Sequence, residues 1–201
     1  SQPSLDVVIA KAGIDSLAND HPEWALDILA ALDPKLLQRA SVSKVFKSLA
    51  NKQPDQVFAA LDTIQMASDT RIEATAAIFQ SLAEQYPDQF EASFDSISSY
   101  GISPMRFKAI AQAYAKSHPE KALRWASAHE DSPATAYVIG EAAKHLLGRD
   151  ASQAAALLSM IEGGEGYRAS VMNALVEGWA RSDFDEAITW VQQDPNRPGL
   201  G

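Results

Sequence analysis

Residues 114–126 read YAKSHPEKALRWA, and the proline at their centre, Pro119, opens the reading of the fold. Pro22, Pro54, Pro87 and Pro119 stand 32, 33 and 32 residues apart, and the same period continues to Ala151 and Phe184. The other five segments are alike: LANDHPEWALDIL, LANKQPDQVFAAL, LAEQYPDQFEASF, LLGRDASQAAALL and WARSDFDEAITWV. Take the anchor as position zero. Position minus five holds Leu17, Leu49, Leu82, Tyr114, Leu146 and Trp179. Position minus four holds Ala18, Ala50, Ala83, Ala115, Leu147 and Ala180. Position plus three holds Ala25, Val57, Phe90, Ala122, Ala154 and Ala187, and plus seven holds Leu29, Leu61, Phe94, Ala126, Leu158 and Val191. No column contains a charge. Six concordant units mark an internal repeat, and internal repeats decide architecture before any other feature.

Each unit reads as two helices. The first ends just before the anchor, with apolar positions on an i, i+3/i+4, i+7 stripe such as Phe107, Ile110 or Ala111, and Tyr114. The second begins at the anchor, where proline has no intrahelical N–H bond to lose. An acid follows in five units (Glu23, Asp55, Asp88, Glu120, Asp185) and complements the positive end of the helix dipole. Asp150 and Asp183 stand at N-cap positions. Ser103-Pro104 and Ser132-Pro133 mark starts of first helices, Thr70 with Glu73 makes a capping-box pattern, and Asp33-Pro34 opens a short segment before the second unit.

The 201 residues include 35 alanines, which suit helices that cross closely, because alanine is small and the best helix former. No period-two run rich in β-branched residues occurs. The expected fold is all-α: a right-handed αα-superhelix, or solenoid, of about six antiparallel helix-pair repeats. It forms one domain over residues 1–201, each unit burying its face against its neighbours.

Composition also excludes. With no cysteine, the chain has no disulfide framework, thiolate metal site or cysteine nucleophile. No apolar stretch approaches the ~20 residues of a membrane span, so no membrane insertion is expected. The 26 acids outnumber the 17 bases, a net charge of -9, which argues against nucleic acid and anionic membrane as partners.

The last unit, LVEGWARSDFDEAITWV at residues 175–191, resembles a tetratricopeptide repeat. Ala180, the Phe184-Asp185 opening of the second helix, and Ala187 carry the resemblance. It implies protein or peptide binding in a groove lined by the first helices, without catalysis. Helical superhelices of this sort also occur as accessory domains of bacterial envelope enzymes, an analogy at the level of fold.

The residues show no catalytic, cofactor or metal constellation. His21 and His118 each precede Pro-Glu, but the same column holds Gln53, Tyr86, Asp150 and Asp183, so it asks only for a polar residue at a helix entry. His129 and His145 complete the histidines, and no HExxH or His-x3-His spacing exists. No serine lies in a G-x-S-x-G turn. The glycine-rich stretch Glu162-Gly163-Gly164-Glu165-Gly166 lacks the lysine of a phosphate loop and reads as an inter-helix loop. Trp125, Trp179 and Trp190 fall in apolar columns, whereas Trp24 shares its column with Gln56, Gln89, Lys121, Gln153 and Glu186 and is a candidate contact for a partner.

A polar stripe on the first helices is expected at minus ten, minus seven and minus three. With Trp24, its candidate partner-binding residues are Lys47, Asn51, Gln80, Glu84, Gln112, Lys116, Lys144 and Arg181. A plain solvated helix face is the alternative reading of each. The leading expectation is a non-catalytic scaffold for a protein or peptide, with no cofactor. The alternative is an accessory helical domain of a larger bacterial envelope enzyme or complex, motivated by the start at Ser1 without methionine and by Asp194-Pro195, which resembles Asp33-Pro34. The missing initiator and the absence of cysteine lean towards a periplasmic or exported bacterial protein.

Overall fold

The computed structural model describes residues 5–129, 131, 132, 134–147, 166, 169, 173, 176, 177, 180, 181 and 184–193. Among these residues the chain is helical and contains no strand. The elements are α1 (Leu5–Asp20), α2 (Pro22–Ala31), a 3-10 turn (Pro34–Leu36), α3 (Arg39–Lys52), α4 (Val57–Thr63), α5 (Ser68–Gln85), α6 (Pro87–Ser93) and a second 3-10 turn (Phe94–Tyr100). Then come α7 (Pro104–Ser117), α8 (Pro119–Ala128), α9 (Thr135–Leu147) and a helix at Phe184–Gln193. Contacts gather the chain into two compact units, residues 1–110 and 111–201.

The anchor prolines act through the residue before them. Proline excludes its predecessor from the α region, so a helix ends there. His21, Gln53, Tyr86 and His118 all adopt nearly the same conformation, with φ/ψ of -134/64°, -139/61°, -129/67° and -135/59°. Each still donates its N–H to the carbonyl four residues back: Leu17 at 2.8 Å, Leu49 at 2.7 Å, Leu82 at 2.8 Å and Tyr114 at 2.9 Å. Three of their own carbonyls then open the next helix, accepting from Ala25 at 3.1 Å, Phe90 at 3.0 Å and Ala122 at 2.8 Å. A single residue thus closes one helix and starts the next.

The second copy differs. Pro54 to Gln56 form a turn, closed by Gln56 N–H to the Gln53 carbonyl at 3.1 Å, and α4 begins only at Val57. The i→i+3 bond tightens this entry, so Asp55 lies before the helix and not in its first turn. Two other expected starts also change. Helix α5 starts at Ser68, with Thr70 buried within its first turn, and no capping box forms because Glu73 pairs with Arg106. Helix α9 starts at Thr135, with the Ser132 hydroxyl accepting from Ala134 N–H at 3.3 Å. Asp33 does accept from Lys35 N–H, at 2.9 Å, and α7 does begin at Pro104.

The apolar columns form the core. Leu49, Leu82, Tyr114 and Leu146 are buried at minus five, with Leu17 half-buried. Ala18, Ala50, Ala83 and Ala115 at minus four are fully enclosed, as are Ala25, Val57 and Ala122 at plus three, with Phe90 nearly so. Leu29, Leu61, Phe94 and Ala126 at plus seven are also buried. Rings fill the gaps between helices. Phe58, Phe79 and Tyr100 form a trio with centroids 5.3–6.0 Å apart, and in the second unit Tyr114 meets Trp125 edge to face at 6.3 Å. Trp125, expected in an apolar column, is buried. The expectations for Asp150, Ala151, Ala154, Leu158, Trp179 and Asp183, for the stretch 162–165, and for the side chains of Leu147, Ala187, Trp190 and Val191 lie outside the described residues. Gly166 is helical, not loop.

Within the first unit, α1, α3 and α5 pack one against the next. Polar links join residues roughly one period apart. Ser41 donates to Asp15 Oδ1 at 2.8 Å, and Lys44 donates to the Asp15 carbonyl at 2.7 Å. Lys52 Nζ reaches the Asp20 carbonyl at 2.7 Å, and the Tyr86 hydroxyl reaches the Asn51 carbonyl at 2.6 Å. These last two satisfy carbonyls at helix C-termini, which have no intrahelical donor.

Arg71 does the same for α4. Its guanidinium donates to the carbonyls of Leu61 at 3.1 Å and Ile64 at 2.9 Å. Arg71→Ala removes both bonds and is expected to destabilise the chain by about 1.5–3 kcal/mol. Urea unfolding followed by circular dichroism reads the loss, and Arg71→Lys recovers only part of it, because one ammonium cannot reproduce the fork. Gly101, at φ 69°, ends the turn Phe94–Tyr100 in the left-handed region that glycine enters without steric cost.

Candidate functional site

The site is assembled on one face of α3, α5 and the beginning of α7. Four of the sequence candidates meet there. Gln80 Nε2 donates to Glu84 Oε1 at 3.1 Å, and Lys47 Nζ stands 4.0 Å from Glu84 Oε2. Gln80 and Glu84 share a face because four residues make about one helical turn. Asn51 joins them in a different role. Its side-chain oxygen accepts from the Ser81 hydroxyl and its carbonyl from Tyr86, so it is engaged in linking α3 to α5.

Gln112, half-buried, and Lys116, exposed, belong to the second unit, as does exposed Arg181. The side chain of Lys144 lies outside the described residues. Trp24 is 54 % exposed on α2, with its ring stacked on His21 at 4.1 Å.

Above Gln80 the face sinks into a notch of about 160 Å³, lined by Ser43, Glu73, Ala77, Gln80, Arg106 and Ala109 among others. The expected polar stripe is corrected here: position minus ten is Ala77 in α5 and Ala109 in α7, and these small side chains leave the depression. The guanidinium of Arg106 grips the Glu73 carboxylate with two nitrogens, NH1 on Oε2 and NH2 on Oε1. These hydrogen bonds push Arg106 above its usual range, against the effect of its partial burial, and the Glu73 charge adds to them. Such a fork fixes both side chains as well as attracting them. At the other wall, Ser43 Oγ is buried and has no hydrogen-bond partner within the protein.

Ser43, Glu73 and Arg106 were not among the sequence candidates. They lie one or two turns upstream of the columns that supplied those candidates, and their pairing spans 33 residues in the case of Glu73 and Arg106. No column marks them: positions minus eleven, minus thirteen and minus fourteen hold apolar residues in other units, such as Ala76, Ile9 and Val8. Among the described residues, no cluster of three or more His, Cys, Asp or Glu is placed to hold a metal ion, and no helix is long and apolar enough to cross a membrane. No protein-family model, curated protein or solved structure matches the chain.

Proposed function

We propose that the chain is a non-catalytic scaffold that holds a protein or peptide segment along the face of its first helices. In this reading the helix pairs continue as a right-handed superhelix of about six antiparallel repeats, similar to tetratricopeptide repeats. The supporting observation is the arrangement of α1, α3 and α5. They pack in succession through enclosed alanines and polar links one period apart. That packing leaves Lys47, Gln80 and Glu84 on a common polar face with a recess beside it. A face of this kind fits a ligand that lies across several helices and is read by spaced polar contacts, as helical repeat proteins do.

The test selects ligands from a displayed random linear-peptide library on the folded chain. Selected peptides should lose binding by roughly tenfold or more when Lys47, Gln80 and Glu84 are together replaced by alanine, because these are the polar contacts proposed to read the bound segment. Failure to select any peptide, or full binding to the triple variant, contradicts the reading.

A further inference from the structure

We infer that α1 of one copy of the chain stacks on the helix Phe184–Gln193 of a second copy, so that the stacking of repeats continues head to tail from molecule to molecule. The inference rests on the repeat reading carried to the sixth unit and makes no use of peptide holding.

The contacts inside the chain define what stacking covers. Each second helix packs on the first helix that follows it: α2 on α3, α4 on α5 and α8 on α9. Where a unit precedes it, a first helix has two buried columns. Position minus thirteen holds Ser41 in α3 and Ala74 in α5, and position minus nine holds Val45, Ile78 and Ile110. On the second helix, position plus four faces the unit that follows. Phe58 of α4 meets Phe79 of α5 there at 5.3 Å, and Leu123 of α8 is buried.

The same columns are bare at two places. In α1, position minus thirteen is Ile9, 61 % exposed, with exposed Val8 beside it. Position minus nine is Gly13, where an added side chain would meet nothing within 4 Å. On the helix Phe184–Gln193, position plus four is Ile188, 37 % exposed. Its anchor Phe184 is 62 % exposed, although Pro22 and Pro119 in that column are buried. A terminal repeat normally turns a polar face outward. Here one molecule presents an apolar face of the kind a preceding unit covers and another of the kind a following unit covers.

The polar columns match these two faces to each other. Ser48 donates to the Asn19 carbonyl at 3.4 Å, and Ser81 donates to the Asn51 side chain. A serine at minus six thus meets the minus-three residue of the preceding first helix. Ser16 holds minus six in α1 and is exposed, and Arg181 holds minus three in the sixth unit and is also exposed. Asp20, exposed one turn beyond Ser16, offers the Arg181 guanidinium an anion. The occupant of each face is therefore another copy, and because the faces are unlike the contact is heterologous.

Sedimentation equilibrium of the intact chain tests this, at a salt concentration that screens its net charge of -9. The weight-average mass should climb above 21.7 kDa as the concentration rises through roughly 10–500 µM, the range suited to a small interface. Ile9→Glu alone and Ile188→Glu alone should each stay at the monomer mass, because every molecule then lacks the same face. Mixed in equal amounts, the two variants should form a one-to-one dimer and nothing larger, since each supplies the face the other lacks. Both positions are exposed, so circular dichroism should match the parent. Should either variant fold poorly, Ser16→Arg or Phe184→Glu takes its place.

A parent chain that stays monomeric at the highest concentration overturns the inference. Association that survives Ile9→Glu overturns it as well. So does an Ile188→Glu variant that still dimerises alone, the mark of α1 pairing with α1 about a two-fold axis. A library that yields no peptide does not alter these masses, so failure of peptide holding and failure of stacking are read separately.

Discussion

Phe79→Ala is expected to lower the free energy of unfolding by about 3–5 kcal/mol, the cost of deleting a buried phenylalanine and leaving a cavity. Phe79 lies in α5 with no exposed surface, against Phe58 of α4 at 5.3 Å and Tyr100 at 5.8 Å. Its removal leaves two rings without their common partner, and tilted or edge-on ring pairs contribute about 0.5–1.5 kcal/mol beyond burial. The collapse that would relieve the cavity is limited, because α5 is also held to α3 by Tyr86 and Ser81. Urea unfolding measured by circular dichroism should show a lower midpoint with an unchanged slope. A loss below about 1 kcal/mol would show that α5 is not the centre of the first unit.

The second large effect comes from adding atoms. Ala83→Leu is expected to cost up to about 3 kcal/mol, the upper part of the range for overpacking an enclosed site. Ala83 is completely buried, and so are its counterparts Ala18, Ala50 and Ala115. Helix α5 packs closely on α3, and a leucine at this position forces either the helices apart or the side chain out of its rotamer. Its intrinsic helix propensity is close to that of alanine, so the loss measures crowding and not local helix formation. A thermal melt of Ala83→Leu at the parental temperature would contradict the close approach of these helices.

The period was readable because proline acts locally. It sets its own φ and restricts the residue before it, so His21, Tyr86 and His118 became joints where the spacing placed them. The apolar columns were readable for a similar reason: a column without charge meets other helices, as its members around Pro22, Pro54, Pro87 and Pro119 do. Local signals failed where a distant residue took over. Thr70 and Glu73 fit a capping box by spacing, yet Glu73 turns to Arg106, 33 residues away, and Ser68 and Asp69 extend the helix beyond the expected cap. Pro54 marks its joint, but the tight turn after it delays α4 to Val57.

The candidate site was partly readable. Lys47, Gln80 and Glu84 were chosen by column, and they meet because α3 and α5 present those columns on the same side. Asn51 was chosen by the same rule, but the neighbouring Ser81 draws its side chain into the helix contact. The recess itself depends on side chains no longer than a methyl group at Ala77 and Ala109, and an alanine in a helical sequence does not distinguish a crossing from a depression. Only the placement of Arg106 and Glu73 around it makes that difference visible.

The proposed scaffold holds its segment on the face of α3, α5 and the start of α7. Amide chemical-shift mapping on the isotope-labelled chain, titrated with a library-selected peptide, tests it most directly. The largest shifts should cluster around Ser43, Lys47, Ala77, Gln80, Glu84 and Arg106, with α4 and α6 little changed. Saturable binding whose shifts fall on α4 and α6, with the face around Gln80 unmoved, would contradict it.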